Sequence, residues 1–255
     1  MIHQTPVAFK NHKGLVLRGV VHEPKEYDTA FVFLHGFPSS KEGSAKRLCT
    51  AVANKGWLCL RFDFSGVNES QGTFEHKLMS EEAKDIKAAI DFLRAHYNFK
   101  KLIVCGHSTG AIDAALYAHS DKRIHGLILA GTVAALDSAV HYDFSDKQVR
   151  EFWMKGYTHV QYVEPWMKKQ GKLYKTFYDE FFTLDLVHAI KRYRRPLLVL
   201  HGEKDQALPV SEAKRMYAQA NKPKKLVIIK GAGHNFKPKL KESVDAIFSF
   251  GQRVH

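Results

Sequence analysis

Lys101-Leu-Ile-Val-Cys-Gly-His-Ser-Thr-Gly110 joins a short apolar run to a Gly-x-Ser-x-Gly pentapeptide, and an Ala-rich helical pattern follows directly. The apolar run predicts a buried strand over Leu102 to Cys105, and the spacing after it predicts a helix over Ala111 to His119. A chain that passes from strand to helix in so few residues brings the two backbones very close. Gly106 and Gly110 flank the turn because glycine alone tolerates that approach cheaply. Ser108 then stands at the apex with its Oγ lifted above the sheet, a candidate nucleophile, and Gly106, His107 and Gly110 complete the elbow. Small residues cluster in ordinary turns as well. The pentapeptide draws its meaning from the strand before it and the helix behind it.

Upstream, Val7 to Lys10 and Leu15 to His22 read as two strands joined by the turn Asn11-His-Lys-Gly14. Ala30 to Leu34 is a further apolar run, ending in the loop His35-Gly-Phe-Pro-Ser-Ser40, and a helix is expected over Ala45 to Lys55. Trp57 to Phe62 reads as another buried strand, running into the glycine-punctuated loop Asp63 to Gly72. The next helix begins near Ser80, a residue able to cap it, with Ile86, Ala89, Ile90 and Leu93 on one face. Downstream, Ile124 to Ala130 and Pro196 to Leu200 read as strands, Ser211 to Ala220 as a helix, Leu226 to Ile229 as the last strand and Lys239 to Phe250 as a closing helix. This β-α alternation predicts an α/β fold around a mostly parallel, twisted sheet of about eight strands, with helices on both faces and right-handed crossovers.

Reactive side chains fall at three of the predicted strand ends in the order Ser108, Asp205, His234, where open α/β sheets gather their sites. Glu203 and Asp63 are rival acids. His35, His107 and His201 also follow strands and are read as residues that order the loops, since His234 alone follows the last strand. The sequence has no His-Glu-x-x-His or comparable metal-ligand pairing and no Gly-x-Gly-x-x-Gly after a strand, so neither a metal nor a dinucleotide cofactor is expected.

Four motifs carry a resemblance to the α/β-hydrolases over nearly the whole chain: His35-Gly36-Phe37 resembles the oxyanion loop, Gly106-His-Ser-Thr-Gly110 the elbow, Leu200-His-Gly-Glu-Lys-Asp205 the acid turn, and Gly231-Ala-Gly-His234 the histidine loop. Within that superfamily the chain is most similar to compact carboxylesterases of the serine-aminopeptidase-like group, which includes cinnamoyl and feruloyl esterases and monoacylglycerol lipases. The resemblance implies a Ser-His-Asp triad of Ser108, Asp205 and His234, an oxyanion hole from the backbone N–H groups of Phe37 and Thr109, and an acyl-enzyme intermediate. The implied substrates are aromatic or short- to medium-chain carboxylic esters. Thioesterase, lipase or acyl-transfer chemistry on the same triad, and a low-turnover small-molecule receptor, are the alternatives. One departure stands out. Many relatives carry Asp-x-x-Gly-His-Gly-x-Ser where this chain has Asp63-Phe-Ser-Gly-Val-Asn-Glu-Ser70.

With 255 residues and 45% hydrophobic content, a single domain spanning residues 1–255 is expected, interrupted by a helical cap insertion over about 133–190. There the strand-helix rhythm breaks and aromatics crowd in: 13 of the chain's 30 lie between Val133 and Tyr193. They are read either as the insertion's own small core or as apolar walls around an acyl group lying between the oxyanion loop and the insertion. Asp137, His141, Tyr142 and Asp143 are candidate polar contacts to such a group. Met1 to Lys10 holds no signal-peptide h-region and no stretch approaches about 18 apolar residues, which points to a cytoplasmic protein without a membrane span. Cys49, Cys59 and Cys105 form no Cys-x-x-Cys pair. The net charge of +13 is spread along the chain, 17 Lys and Arg in residues 1–130 and 22 in 131–255, which argues against nucleic acid as the partner; the resemblance implies a small-molecule ester instead. The densest cluster, Lys191 to Arg195, reads as a solvated helix end or as an anion-attracting rim beside the site.

Overall fold

A computed structural model of the chain describes residues 2–160 and 171–254. β1 (His3–Lys10) and β2 (Val16–Glu23) form the expected hairpin, closed by the Asn11 side chain, whose Oδ1 accepts from the N–H groups of Lys13 and Leu15 at 3.0 Å. Then come β3 (Thr29–Leu34), α1 (Ser44–Ala53), β4 (Leu58–Phe62), α2 (Met79–His96), β5 (Lys101–His107), α3 (Thr109–Ala118) and β6 (Gly126–Ala130). The chain leaves the sheet through α4 (Val140–Asp143), α5 (Asp146–Lys155), the antiparallel pair β7 (Tyr157–Val160) and β8 (Gly171–Tyr174), α6 (Lys175–Thr183) and α7 (Leu186–Arg192). It returns with β9 (Leu197–Gly202), α8 (Val210–Gln219), β10 (Lys224–Ile229) and α9 (Leu240–Gly251).

The main sheet has the order β1-β2-β4-β3-β5-β6-β9-β10, with β2 antiparallel to both its neighbours and every other pairing parallel. Strands β3, β4, β6 and β9 are buried along their whole length, which is why they read as unbroken apolar runs. Alternate residues of β3 show the two faces: Ala30, Val32 and Leu34 join one apolar cluster with Ile86, Ile112 and Met216, while Phe31 and Phe33 join another with Leu48, Val52 and Ile247. Helices α2, α3 and α8 therefore cover one face and α1 and α9 the other. Parallel registers Leu34↔Gly106, His107↔Ala130, Ala130↔Leu200 and Gly202↔Ile229 bring the carboxyl ends of five strands into one row, and with them the loops that carry the motifs.

The segment between β6 and β9 is held by aromatics and by a buried polar group. Phe144, Phe152, Phe177, Tyr178 and Phe181 are buried and meet ring to ring, Phe144 to Phe152 at 5.1 Å and Phe177 to Phe181 at 5.8 Å. Tyr162 and Trp166 lie outside the described residues. Helix α2 starts at Met79 after Leu78, which offers no side-chain cap, and Ser80 is not the cap expected from the sequence. The α2 N–H groups of Met79 and Ser80 instead donate to the carboxylate of Glu180 on α6, and the Ser80 hydroxyl does the same. A carboxylate at a helix N-terminus satisfies orphan donors and complements the helix dipole. Here it comes from 100 residues away. The β7–β8 hairpin is a second difference from the expected all-helical excursion. Its four-residue strands are too short to impose a pattern on the surrounding sequence.

The basic cluster at Lys191 to Arg195 takes the structural role. Arg195 donates to the carbonyl of Asp121 at 2.9 Å, just beyond the C-terminus of α3, the opposite end of that helix from Ser108. Cys49, Cys59 and Cys105 are free and buried. No helix among the described residues is long and apolar enough to cross a membrane.

Candidate active site

Ser108 sits between β5 and α3 at φ 58° and ψ −127°, a conformation a non-glycine residue holds only at a cost of about 1–3 kcal/mol. Its surroundings enforce the turn. A Cβ on Gly106 would lie 2.0 Å from the carbonyl oxygen of Gly110, and one on Gly110 would lie 2.5 Å from the carbonyl oxygens of Leu34 and His35. The elbow is thus pinned both to its own helix and to the loop after β3. The N–H of Ser108 donates to the carbonyl of Ala130 at 2.9 Å, which ties the turn to β6.

Asp205 and His234, 29 residues apart in sequence, are brought together. Nδ1 of His234 lies 2.8 Å from Oδ2 of Asp205, while Oδ1 of Asp205 accepts from the N–H groups of Ala207 and Leu208 at 2.9 Å. The Asp205 carboxylate is 1% exposed, so every one of these donors matters. Burial pushes its pKa up, but the bond and charge of His234 and the Leu208 N–H outweigh burial and hold it below the usual carboxylate value. A carboxylate fixed in this way sets the imidazole tautomer, leaving Nε2 to accept a proton.

The rival acids are engaged elsewhere. Asp63 is buried against Lys41, accepting from its backbone N–H at 2.8 Å and its ammonium at 2.7 Å. Glu203 is exposed and accepts from the N–H of Gly231, bracing the loop that carries His234. The other strand-end histidines order loops, as expected. His35 bridges the loops after β3 and β4: Nδ1–H donates to the Gly36 carbonyl at 2.9 Å and Nε2 accepts from the Phe64 N–H at 3.3 Å. His107 donates from Nε2 to the backbone carbonyl of His234 at 2.9 Å. His201 reaches the Leu208 carbonyl at 3.0 Å. Burial drives the pKa of both His35 and His107 down to about 3, so both rings stay neutral.

The N–H of Phe37 has no acceptor among the described residues. That of Thr109, at the first position of α3, has no intrahelical one. Both belong to the turns that enclose Ser108. The Phe37 ring stacks on Phe177 at 5.2 Å and Phe74 at 6.1 Å and tilts against Phe144 at 6.1 Å, so the segment between β6 and β9 grips the loop carrying one of the two donors. Below it the buried ammonium of Lys77 faces the rings of Phe37, Phe64 and Phe177 at 5.7 to 6.0 Å and pairs with buried Glu82. Next to this pair, both oxygens of Asp113 on α3 are buried without a hydrogen-bond partner. Burial, with the charge of Glu82 adding to it, lifts Asp113 well above the carboxylate range and keeps it neutral.

Ser108 and His234 open on one cleft of about 230 Å³, walled by the loop after β3, the start of α1 and the loop after β10. The described residues of the segment 133–190 do not wall it, which corrects the expectation that the aromatic rings line this space. Asp143 is the exception in influence. Its residue is part-exposed, but its carboxyl is closely surrounded by protein; burial raises its pKa to about 7, against the opposing pull of His234. Arg47 and Lys237 were missed from sequence, where both read as ordinary surface cations. Their only signal was their nearness to the oxyanion and histidine loops. No cluster of three or more His, Cys, Asp or Glu among the described residues is arranged to hold a metal ion. The departure from Asp-x-x-Gly-His-Gly-x-Ser is accommodated locally: Val67 is buried, and Asn68 adopts φ 43° and donates to Asp63 at 3.1 Å. Asparagine is among the few non-glycine residues enriched at such angles.

Residues 25–178, more than half of the chain, match the family described as serine aminopeptidase, S33, and residues 150–238 match the alpha/beta hydrolase fold family. The bifunctional esterase/perhydrolase DCH of Acinetobacter calcoaceticus is 25% identical, over 83% of this chain and 86% of its own length. Among solved structures, Est1E of Butyrivibrio proteoclasticus, determined with ferulic acid bound, superposes with a TM-score of 0.82 at 21% identity, covering 97% of this chain and 99% of that one. The alpha/beta hydrolase GrgF from Penicillium sp. sh18 gives 0.83 at 17% identity, with 99% of both chains covered. These likenesses place the fold.

Proposed function

The chain belongs to the serine aminopeptidase family of α/β hydrolases, and on that premise we propose that it hydrolyses carboxylic esters with Ser108 as nucleophile, His234 as base and Asp205 as the residue that orients the base. The observation that carries this is the 2.8 Å contact between Asp205 and Nδ1 of His234, in a cleft whose wall also holds a serine in a strained turn. A serine hydroxyl is a weak nucleophile at neutral pH, so Nε2 of His234 takes its proton as Oγ attacks the ester carbonyl. Asp205 stabilises the imidazolium that forms. The N–H groups of Phe37 and Thr109 receive the charge on the carbonyl oxygen; one such donor is worth on the order of 3 kcal/mol. When the intermediate collapses, His234 returns the proton to the leaving alcohol, and an acyl-Ser108 ester remains. Water, activated by the same imidazole, releases the acid.

Aromatic acyl groups are the favoured class. The similar Est1E was determined with ferulic acid bound, an aromatic acid of this class. Labelling with an active-site-directed organophosphonate, followed by peptide mapping, tests the assignment. Adduct on Ser108 that disappears in Ser108→Ala is the expected result, and an adduct unchanged in that variant would overturn it.

A further inference from the structure

The cleft beside Ser108 carries unneutralised positive charge. Arg47 from α1 and Lys237 from the loop after β10 both wall it, and neither side chain is engaged in an ion pair or hydrogen bond among the described residues. The acid in the same wall, Glu42, does not neutralise them: its Oε1 lies 2.8 Å from buried Arg61 and its Oε2 4.0 Å from Lys46. The position of the pair decides which half of an ester it meets. His234 must return its proton to the leaving oxygen, so the alcohol departs on the His234 side of Ser108. His234, Asn235 and Lys237 form that side of the cleft. Its size narrows the choice further, since a cavity of about 150 Å³ accepts a benzene ring and this one offers about 230 Å³.

We propose that Arg47 and Lys237 form a subsite for an oxyanion, carboxylate or phosphate, on a ring-sized leaving alcohol, so that the preferred substrates are esters of hydroxy acids or of phosphorylated alcohols. The proposal rests on the hydrolase reading above and deepens it by naming the alcohol half. An Arg fork beside a Lys point charge suits a planar or tetrahedral oxyanion, and bonds to charged acceptors are roughly twice as strong as neutral ones. The +13 net charge draws such anions toward the protein without selecting among them. Selection comes from the two cations at the cleft.

The experiment compares the esters that one aromatic acid forms with the phenol groups of 4-hydroxybenzoate and 4-hydroxybenzamide. The two leaving groups match in shape and differ in charge. With kcat/KM normalised to each ester's hydroxide-catalysed rate, the carboxylate ester is expected to be preferred by about tenfold at low salt. The preference should fall toward one at 1 M salt and in Arg47→Ala/Lys237→Ala, and should reverse in Arg47→Glu/Lys237→Glu. Equal turnover of both esters by the native chain, or a preference that survives the double substitution, overturns the subsite. Calorimetric binding of free 4-hydroxybenzoate and 4-hydroxybenzamide to Ser108→Ala tests the subsite without turnover. Tighter binding of the acid supports the subsite even if neither ester is cleaved, in which case only the hydrolase reading fails. Equal binding overturns it. Phenyl phosphate in the same titration identifies the oxyanion by whichever binds tighter.

Discussion

On one flank of Ser108, Phe37 is wedged among Phe177, Phe74 and Phe144, and the charges beneath it, Lys77 and Glu82, are buried as a pair. On the other flank Arg47 and Lys237 stand at an open cleft with no carboxylate bound to them among the described residues. The first flank spends its side chains on one another. Its rings and ion pair hold the Phe37 loop in place, and of these residues Phe37 alone lines the cleft among the described residues. The second flank has groups with unsatisfied binding capacity. Dry ring-to-ring packing thus positions the machinery, while the solvated cations of the cleft are where preference among substrates resides.

The largest effect would come from the bond on which both flanks converge. Asp205→Asn should keep the fold and lower kcat by about 10⁴, because an amide favours the wrong imidazole tautomer. Comparable activity in the variant, measured on an activated ester, would detach the contrast from catalysis altogether. Phe177→Ala sharpens it. Removing a buried ring should cost about 3–5 kcal/mol in denaturant unfolding, and the released Phe37 loop should lower kcat more than it raises KM, with Phe177→Leu recovering most of the loss. A rise in KM alone would mean that the ring serves substrate binding and not the placing of the donor.

Asp143 gives a pH test of the packed flank. Its carboxyl titrates at 3.8 when solvated and at about 7 when folded, so the native state holds the proton more tightly. The associated stability is fully present below pH 3.8 and is lost as pH rises through 7. At about 1.4 kcal/mol per pH unit the loss has a ceiling of about 4 kcal/mol. Asp143→Asn should therefore flatten thermal stability across that window and be the more stable protein at pH 8. Parallel curves for both chains would place Asp143 in water. The smallest effect is expected of Glu180→Gln, which keeps the shape of the cap on α2 but removes its charge, at about 1–2 kcal/mol. No change would mean that the insertion is anchored by its rings alone.

The first flank and the proposed triad differ in how far they could be read in advance. The places of Ser108, Asp205 and His234 were legible because each follows a parallel strand, buried for β5 and β9 and half-buried for the edge strand β10, and apolar runs mark such strands plainly. The elbow was legible because backbone crowding leaves glycine little competition at Gly106 and Gly110. Glu180 was not, since its partners lie 100 residues away and a carboxylate on an amphipathic helix carries no mark of its donors. The aromatics were visible as a surplus, yet composition alone could not say whether rings face one another or a ligand. Arg47 and Lys237 lay hidden among 39 basic residues, and only the closing of two distant loops around one cleft sets them apart.

His107 and His234 stand with ring centroids 4.7 Å apart, so a charge on His107 would act on its neighbour. Burial keeps that charge away. With His107 already uncharged above about pH 3, its bond to the His234 carbonyl survives throughout the range in which a hydrolase works. The loop carrying the base is moored by a tether that does not respond to acid. Acid can then alter activity without releasing this hold on the loop.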